Sequence, residues 1–224
     1  AIVKITVPCE DACPVGAIAK GENGRAKIDF DACISCGKCV SACPFGAVHE
    51  KSQVIDILKH MKNGEKIIAL IAPSIVGQFP GNIYQLKTAI KKAGFYDVYE
   101  VAQGADVTTK KEAAEFQERL EHNEPFMTTS CCAGYNQLVK KHLNEIKPFV
   151  SDTLTPMAYI AQIVKEKEPE AKLVFISPCV AKRVEVEENP NVDYLMNFEE
   201  LGALFVARKI EIMDCEEESF DVES

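Results

Sequence analysis

Hydrophobic positions recur at helical spacing through most of the chain after residue 50, and they predict six helices. In chain order the predicted helices are SQVIDILKHMKNG, NIYQLKTAIKKAG, GADVTTKKEAAEFQERLEHN, GYNQLVKKHLNEI, PMAYIAQIVKEKEP and NFEELGALFVARK. We expect Gly64 and Gly94 to end the first two helices, because glycine is common just after a helix. Asn197 is expected to cap the start of the last one.

Short apolar or alternating runs between these helices predict four strands, which are KIIALIAPS, YDVYEVA, PFMTTS and KLVFISP. Strands that alternate with helices are typical of an α/β domain with a mostly parallel sheet flanked by helices. The final segment, EIMDCEEESFDVES, contains no basic residue. We expect this acidic tail to be a solvated terminus.

Three unusual short segments each follow a predicted strand. They are APS (Ala72 to Ser74), TSCC (Thr129 to Cys132) and SPC (Ser177 to Cys179). Ligands of open α/β sheets bind at the carboxyl ends of strands. The three segments are therefore expected to converge on one site.

The composition excludes several classes of protein. With 47% hydrophobic and 26% charged residues in 224, the chain has the profile of a globular protein. Its net charge of −9 argues against nucleic-acid binding. The longest apolar runs are too short to cross a bilayer, and the chain does not begin with a secretory signal. Because Ala1 rather than methionine comes first, we expect a processed or excised piece.

Cysteine is the most informative residue type, since six of the 10 cysteines precede residue 44. Without a secretory signal, clustered thiols favour metal or redox chemistry over disulfides. We therefore expect a cytoplasmic protein of a reducing, anaerobic cell.

The first 50 residues contain an internal repeat, CEDACPVGAIAK and CVSACPFGAVHE. The second copy lies within CISCGKCVSACP, whose spacing C-x2-C-x2-C-x3-C-P is that of bacterial ferredoxins. Structural zinc sites instead use two pairs of ligands. We predict an α+β ferredoxin-like iron–sulfur module over residues 1–50, followed by the α/β domain over residues 51–224.

The ferredoxin spacing also assigns ligands to two clusters. In two-cluster ferredoxins the fourth cysteine of each run binds the other cluster. One complete [4Fe–4S] cluster would then be held by Cys13, Cys33, Cys36 and Cys39. Cys9 and Cys43 would belong to a second [4Fe–4S] cluster that is incomplete or absent in this chain. In the alternative, Cys43 replaces Cys13 in a single cluster.

The chain resembles the [FeFe]-hydrogenases over nearly its whole length. The motifs that carry this resemblance are TSCCAGY, SPCVAKRVE, APSIVGQF and GADVTTKKEAAEF, together with the ferredoxin-like module. A later glycine-rich Cys-x-x-x-Cys motif of that family does not occur in these 224 residues. Cys215 does not fit it and is expected to be an incidental thiol.

The resemblance implies an active-site H-cluster, in which a [4Fe–4S] cubane shares a cysteine sulfur with a diiron subsite bearing CO, cyanide and an azadithiolate bridge. Cys132 and Cys179 would bind the cubane, and the other two ligands would lie in the missing segment. Cys131 matches the cysteine that hands protons to the bridging amine. Lys182 would donate a hydrogen bond to one cyanide ligand.

The resemblance further implies a lining for the diiron subsite. The segment Ala72, Pro73 and Ser74 would lie along the other cyanide. Two residues depart from the usual motifs, because Ala133 replaces a proline and Ser177 replaces a methionine beside the diiron subsite. A hydroxyl in place of a thioether changes the polarity there.

A proton relay is implied by the same resemblance. Glu112 and Glu115 lie at i and i+3 of a predicted helix and therefore share a face. They match the relay glutamates of the family, with Ser151 as the hydroxyl between them and Arg119 near the outer end.

The implied activity is the reversible reduction of protons to H2, with electrons from ferredoxin or a similar carrier relayed through [4Fe–4S] clusters. We expect the chain to be inactive alone because it lacks two H-cluster ligands, and we expect neither a nucleic-acid nor a membrane partner. The alternatives are an H2-sensing hydrogenase-like protein and a non-enzymatic iron–sulfur assembly factor.

Overall fold

The computed structural model describes residues 7–221. The start of the first predicted domain and the end of the second therefore lie outside the described residues. Its helices are α1 (Pro8–Asp11), α2 (Lys38–Ala42), α3 (Val54–Lys62), α4 (Ile83–Lys92), α5 (Val101–Glu121), α6 (Ala133–His142), α7 (Pro156–Lys167), α8 (Lys182–Glu188) and α9 (Phe198–Ala207). Its strands are β1 (Ile18–Lys20), β2 (Ala26–Ile28), β3 (Ile67–Ile71), β4 (Asp97–Glu100), β5 (Lys172–Ile176) and β6 (Tyr194–Met196).

A parallel sheet in the order β4-β3-β5-β6 forms the centre of the α/β region. All five residues of β3 are buried, which explains why its sequence is a continuous apolar run. Ile67 and Ile71 pack into a core that includes residues of α4 and α9, whereas Ile68 and Leu70 pack into a core that includes residues of α7. Helices therefore cover both faces of the sheet.

The ferredoxin-like module contains the antiparallel hairpin β1–β2 and the short helices α1 and α2. The predicted fold class, an α+β iron–sulfur module followed by an α/β domain with a mostly parallel sheet, is confirmed. The boundary at residue 50 stays a prediction. None of the helices within residues 7–221 is both long and apolar enough to cross a membrane.

Helices α5 and α7 pack closely at Gly104. A Cβ at this position would lie 2.0 Å from the carbonyl oxygen of Pro156, a distance that no side chain can occupy. The Thr108 hydroxyl lies one turn later and donates to the carbonyl oxygens of Gly104 and Leu154, at 3.0 and 3.2 Å. The GADVTT sequence was predicted to begin the helix, but α5 begins at Val101, and Gly104 serves the helix contact instead.

The predicted strand PFMTTS is wrong. Thr128 forms only an isolated parallel bridge with Val150. Phe126, at the start of the same segment, is 43% exposed and stacks on Phe149 with ring centroids 4.4 Å apart. A β-prone sequence at the surface, with a single paired residue, does not extend a sheet.

The prediction of a solvated acidic tail is also wrong. Ile212, Cys215 and Phe220 are buried in the same core as α4 and α9. Lys87, only 3% exposed, donates to the carbonyl oxygen of Ser219 at 2.8 Å. Its ammonium also lies 3.2 Å from the Glu218 carboxylate. Spaced apolar residues and a buried cation thus hold a segment whose charge suggested solvation.

Candidate iron–sulfur and active-site regions

The cysteines of the ferredoxin-like module line two separate pockets. The first, of about 140 Å³, is lined by Cys13, Cys33, Cys36 and Cys39 among other residues. The second, of about 630 Å³, is lined by Cys9 and Cys43 among others. This division groups the cysteines as the exchange of the fourth cysteine predicts, and the ligand sets themselves stay a prediction.

Backbone N–H groups donate to three of these sulfurs. The donors are Ala17 to Cys13 at 3.2 Å, Ser35 to Cys33 at 3.4 Å and Ala47 to Cys43 at 3.3 Å. Hydrogen bonds of this kind stabilise the thiolates that hold a cluster and help to set its potential. The donor set of the first pocket therefore fits a [4Fe–4S] cluster.

The environment of the cysteines changes the pKa of two of their thiols. Burial raises the pKa of the Cys39 thiol, hydrogen bonds from the backbone N–H groups of Val40 and Cys39 oppose this increase, and the charges of Cys33 and Cys36 add to it. In the second pocket, hydrogen bonds from the backbone N–H groups of Phe45, Ala47 and Val48 lower the pKa of the Cys43 thiol.

The described cysteines are not gathered around a single point. A zinc ion needs its ligands around one point. Within residues 7–221, no three His, Cys, Asp or Glu side chains are placed to hold a single ion. The cysteines of a cubane are spread around a cluster of four irons, so a wider spacing around a pocket suits a [4Fe–4S] cluster.

A second region is built where the loops after β3 and β5 meet the segment before α6. They surround a pocket of about 200 Å³. Its lining includes the predicted residues Ala72, Pro73, Cys131, Ser177 and Lys182. The predicted convergence of the three segments is confirmed, although TSCC follows an isolated bridge rather than a strand.

Three other predicted site residues lie in the same three segments but outside the lining of this pocket. Cys132 is the N-cap of α6, and Cys179 lies between β5 and α8. Both thiols are exposed, as are Cys131 and the side chain of Ser74. The lining of the pocket does not include Cys132, Cys179 or Ser74. The site is therefore open on the side where the cubane ligands were predicted.

Ser177 is 3% exposed, and its hydroxyl accepts a hydrogen bond from the N–H of Cys179 at 3.4 Å. This bond holds the loop that carries Cys179. Ala133, the other departure from the family motifs, is the first residue of α6 and is buried.

Lys182 begins α8 and joins the two cysteine-bearing loops. Its ammonium donates to the carbonyl oxygen of Cys131 at 3.0 Å and forms an ion pair with Glu185 at 2.5 Å. The Thr155 hydroxyl donates to the other oxygen of Glu185. Sequence reasoning missed Glu185, although its i, i+3 spacing from Lys182 on a helix was a usable signal.

The predicted relay residues lie along one side of α5. Glu112 accepts a hydrogen bond from the N–H of Ser130 at 3.3 Å. The Ser151 hydroxyl donates to Glu115 at 2.5 Å, and Arg119 Nε donates to Glu115 at 2.9 Å. The structure thus brings Ser151, Glu115 and Arg119 together, while in the described part of the chain no hydrogen bond links Glu112 to Ser151.

Glu115 is held as a carboxylate. Burial raises its pKa, but hydrogen bonds from Ser151, the Asp152 N–H, Arg119 and Thr153 outweigh burial, so the pKa falls below its ordinary value of 4.5. The outer side of Glu115 opens into a polar cleft of about 740 Å³. The carboxylate therefore lies between the Ser151 hydroxyl and a solvent-filled cleft.

The two cysteine-bearing regions touch each other through Val180. This residue follows Cys179 and also lines the pocket of the ferredoxin-like cysteines. A Cβ at Gly37 would lie 3.0 Å from Val180 Cγ2. Farther out, Arg183 of α8 forms an ion pair with Glu50.

A ferredoxin-like iron–sulfur module in contact with a cysteine-bearing α/β domain defines a class of redox iron–sulfur proteins. The family of the iron-only hydrogenase large subunit, C-terminal domain, matches residues 65–224, and the 4Fe-4S binding domain matches residues 26–49. The first match covers more than half of the chain, which therefore belongs to the iron-only hydrogenase large-subunit family.

Individual relatives agree with this assignment. The chain is 28% identical over 221 residues to the NADP-reducing hydrogenase subunit HndD of Solidesulfovibrio fructosivorans, covering 84% of this chain and 38% of that protein. It is 31% identical over 212 residues to the periplasmic [Fe] hydrogenase large subunit of Nitratidesulfovibrio vulgaris, covering 71% of this chain and 50% of that protein.

A solved structure shows the same fold. A variant of the [FeFe]-hydrogenase HydA1 from Chlamydomonas reinhardtii superimposes with a TM-score of 0.70 at 25% identity, covering 77% of this chain and 51% of that chain. The chain thus spans half or less of the length of these curated relatives. It is an iron–sulfur protein of the hydrogenase type.

Proposed function

We propose that this chain provides the electron-delivering module and the first part of the active site of an [FeFe]-hydrogenase, which reversibly reduces protons to H2. The observation that carries this proposal is the pocket shared by Ala72, Pro73, Cys131, Ser177 and Lys182. Small and polar side chains from three separate loops meet there, beside a module built for a redox cluster.

Electrons would enter from ferredoxin or a similar one-electron carrier. The cluster that receives them would be held by Cys13, Cys33, Cys36 and Cys39. Val180 lines that pocket and is bonded to Cys179 in the chain, so the path from the first region to the second is short. We also propose a cytoplasmic location, from the clustered thiols, whereas the relative from N. vulgaris is named as a periplasmic enzyme.

The H-cluster, when bound, supplies the bond-making chemistry of H2, and the protein supplies ligands, protons and a shielded pocket. Cys132 and Cys179 would hold its cubane, with the remaining ligands outside these 224 residues. Lys182 would offer its ammonium to an anionic cyanide ligand, since charge-assisted hydrogen bonds are stronger than neutral ones. The Cys131 carbonyl and Glu185 hold that ammonium at the edge of the pocket.

Protons would reach the pocket through the Cys131 thiol, which lines it. Glu112 accepts from the N–H of Ser130, next to that cysteine. Ser151 and Glu115 would form the outer part of the relay beside the polar cleft, where Arg119 bonds to Glu115. Within the described residues, Glu112 and Ser151 are not hydrogen-bonded to each other, so the step between these two parts would need a bridging water. A path of exchangeable groups favours a catalyst over a sensor or an assembly factor, which need no proton path.

The test is H2 evolution from a reduced one-electron carrier, under anaerobic conditions and with the family cofactor supplied. It compares this chain alone with the chain extended by its natural C-terminal continuation. We expect activity only in the extended protein, and Cys131→Ser should lower it by about 100-fold or more because a positioned proton donor is lost. Cys215→Ser is the matched control, since that thiol is buried in the core with α4 and α9 and lies outside the site.

Two results would contradict the proposal. One is an extended protein that contains its full iron complement but produces no H2. The other is H2 evolution at an equal rate by the Cys131→Ser variant, which would remove the thiol from the proton path.

A further inference from the structure

Helix α6 carries a cation from the active-site region to the ferredoxin-like module. The helix starts at the N-cap Cys132, and Lys141 lies in its last turn. The Lys141 ammonium donates to the carbonyl oxygen of Cys33 at 2.7 Å and to that of Phe30 at 2.9 Å. The loop that bears Cys33 is therefore held by a positive charge from the other domain.

His142 strengthens this contact. Its Nε2 lies 2.7 Å from the carbonyl oxygen of Ala32 and donates to it, because a carbonyl can only accept. Basic side chains in the last turn of a helix often bond to the carbonyls of their own helix. Lys141 and His142 instead bond to three carbonyls of residues 30–33.

The charge of Lys141 is not neutralised by a carboxylate. Its neighbour Lys140 forms an ion pair with Glu188 at 3.1 Å. In contrast, no carboxylate of residues 7–221 forms an ion pair with Lys141. Two adjacent lysines of one helix thus have the same formal charge, but only one of them places an unpaired cation beside a cysteine of the first pocket.

We propose that Lys141 raises the reduction potential of the [4Fe–4S] cluster held by the ferredoxin-like module. The inference relies on the ligand set of the proposed function. When the cluster accepts one electron from an external one-electron carrier, its net charge becomes more negative, with no bond made or broken. A nearby cation stabilises this reduced form more than the oxidised form. The cluster is then easier to reduce than it would be without this cation.

The test is an EPR-monitored redox titration of this chain after anaerobic reconstitution of its iron and sulfide. We expect Lys141→Gln to shift the redox equilibrium about threefold toward the oxidised cluster. For a one-electron couple this corresponds to a reduction potential about 30 mV lower. Lys141→Arg keeps the cation and should leave the potential unchanged. Lys140→Gln makes the same change in net charge away from the cysteine loop, and it should also leave the potential unchanged.

Equal shifts in Lys140→Gln and Lys141→Gln would overturn the proposal, because they would report net charge alone. An unchanged potential in Lys141→Gln would also overturn it. If that variant retains no iron, Lys141→Met provides a second neutral side chain of similar length. Loss of iron from both neutral variants would show that the cation assembles the loop rather than tunes the cluster, which contradicts the proposal. Failure of the unmodified chain to form an EPR-active cluster would instead contradict the ligand set.

Discussion

The cysteines of the ferredoxin-like module and those of the α/β domain are held in different ways. Cys13 and Cys33 are partly buried, and their sulfurs accept hydrogen bonds from backbone N–H groups at 3.2 and 3.4 Å. Cys132 and Cys179 are exposed, and within residues 7–221 no hydrogen bond to either sulfur is present. Backbone groups of the module bond directly to sulfurs of the first set, whereas the second set is positioned by the backbone, through the start of α6, the loop after β5 and the bonds that Ser177 and Lys182 make to these segments.

This difference indicates how much of each site is contained in the chain. The first pocket is lined by four cysteines and has local donors, so we expect its cluster to form in this chain alone. The active-site pocket is lined by Cys131 but not by Cys132 or Cys179, and only two of the four predicted cubane ligands lie in these 224 residues, so we expect this site to need further residues. Four substitutions, from the largest expected effect to the smallest, test this contrast.

Removal of a cluster ligand should have the largest effect. We expect Cys13→Ser to lose nearly all of the [4Fe–4S] cluster after reconstitution, because serine is a poor replacement for a thiolate ligand. Cys43→Ser should retain the cluster if Cys43 belongs only to the second pocket. Iron analysis and EPR measure both results, with Cys215→Ser as the control for loss of any thiol. Loss of the cluster in Cys43→Ser but not in Cys13→Ser would support the alternative ligand set.

A substitution at the helix contact should weaken the α/β region. Gly104→Ala places a Cβ 2.0 Å from the Pro156 carbonyl oxygen, so α5 and α7 must separate. We expect the free energy of unfolding to fall by about 3 kcal/mol or more, measured by urea denaturation. Gly202→Ala is the matched control, because its nearest new contact is an ordinary 3.6 Å to Phe79. A small change in Gly104→Ala would contradict the close packing.

Loss of the Glu115 carboxylate, which lies beside Arg119, should lower the free energy of unfolding by a smaller amount, and this loss should depend on pH. Glu115→Gln replaces an acceptor that four groups bond to, and we expect it to cost about 1–3 kcal/mol at neutral pH. Because folding lowers the pKa of Glu115, its contribution is complete above about 4.5 and is lost as the pH falls from there through the lowered value.

Urea denaturation at several pH values measures this dependence. Below pH 4.5, the difference between the unmodified chain and Glu115→Gln should shrink. Glu118→Gln, on the exposed face of α5, is the control and should show no such dependence. A difference that stays constant down to pH 3 would contradict the role of the carboxylate.

The smallest effect should come from the contact between the two regions. Gly37 and Gly64 share the same φ of +76°, a conformation that costs a side chain about 1 kcal/mol or more. A Cβ at Gly37 also meets Val180 at 3.0 Å, whereas nothing lies within 4 Å at Gly64. Gly37→Ala should therefore destabilise by some tenths of a kcal/mol more than Gly64→Ala in the same unfolding measurement. Equal losses would show that Val180 moves aside freely.

Sequence reasoning was successful where one property decided the structure. The continuous apolar run of β3 could only be a buried strand, and the capping box at Asn197, in which its side chain accepts from the N–H of Glu200, was readable from spacing. The ferredoxin spacing likewise predicted which cysteines share a pocket.

Sequence reasoning failed where distant contacts decided the structure. The tail is buried because Lys87, more than 100 residues earlier, bonds to it. Strand β6 has only three residues and gains its order from pairing with β5. The partners of Lys182 could not be known either, since Cys131 is 51 residues away and its contact requires the finished fold.

The length of helix α6 also sets the distance between the two cysteine-bearing regions. Its 10 residues span about 15 Å, with Cys132 at one end and Lys141 against the Cys33 loop at the other. A substitution in the middle of the helix keeps this length, but an inserted or deleted residue would change it and turn one end by about 100°. The distance between the two iron–sulfur regions is thus set by the number of residues in α6. We expect single-residue insertions to be tolerated less well in this helix than in the surface loops of the chain.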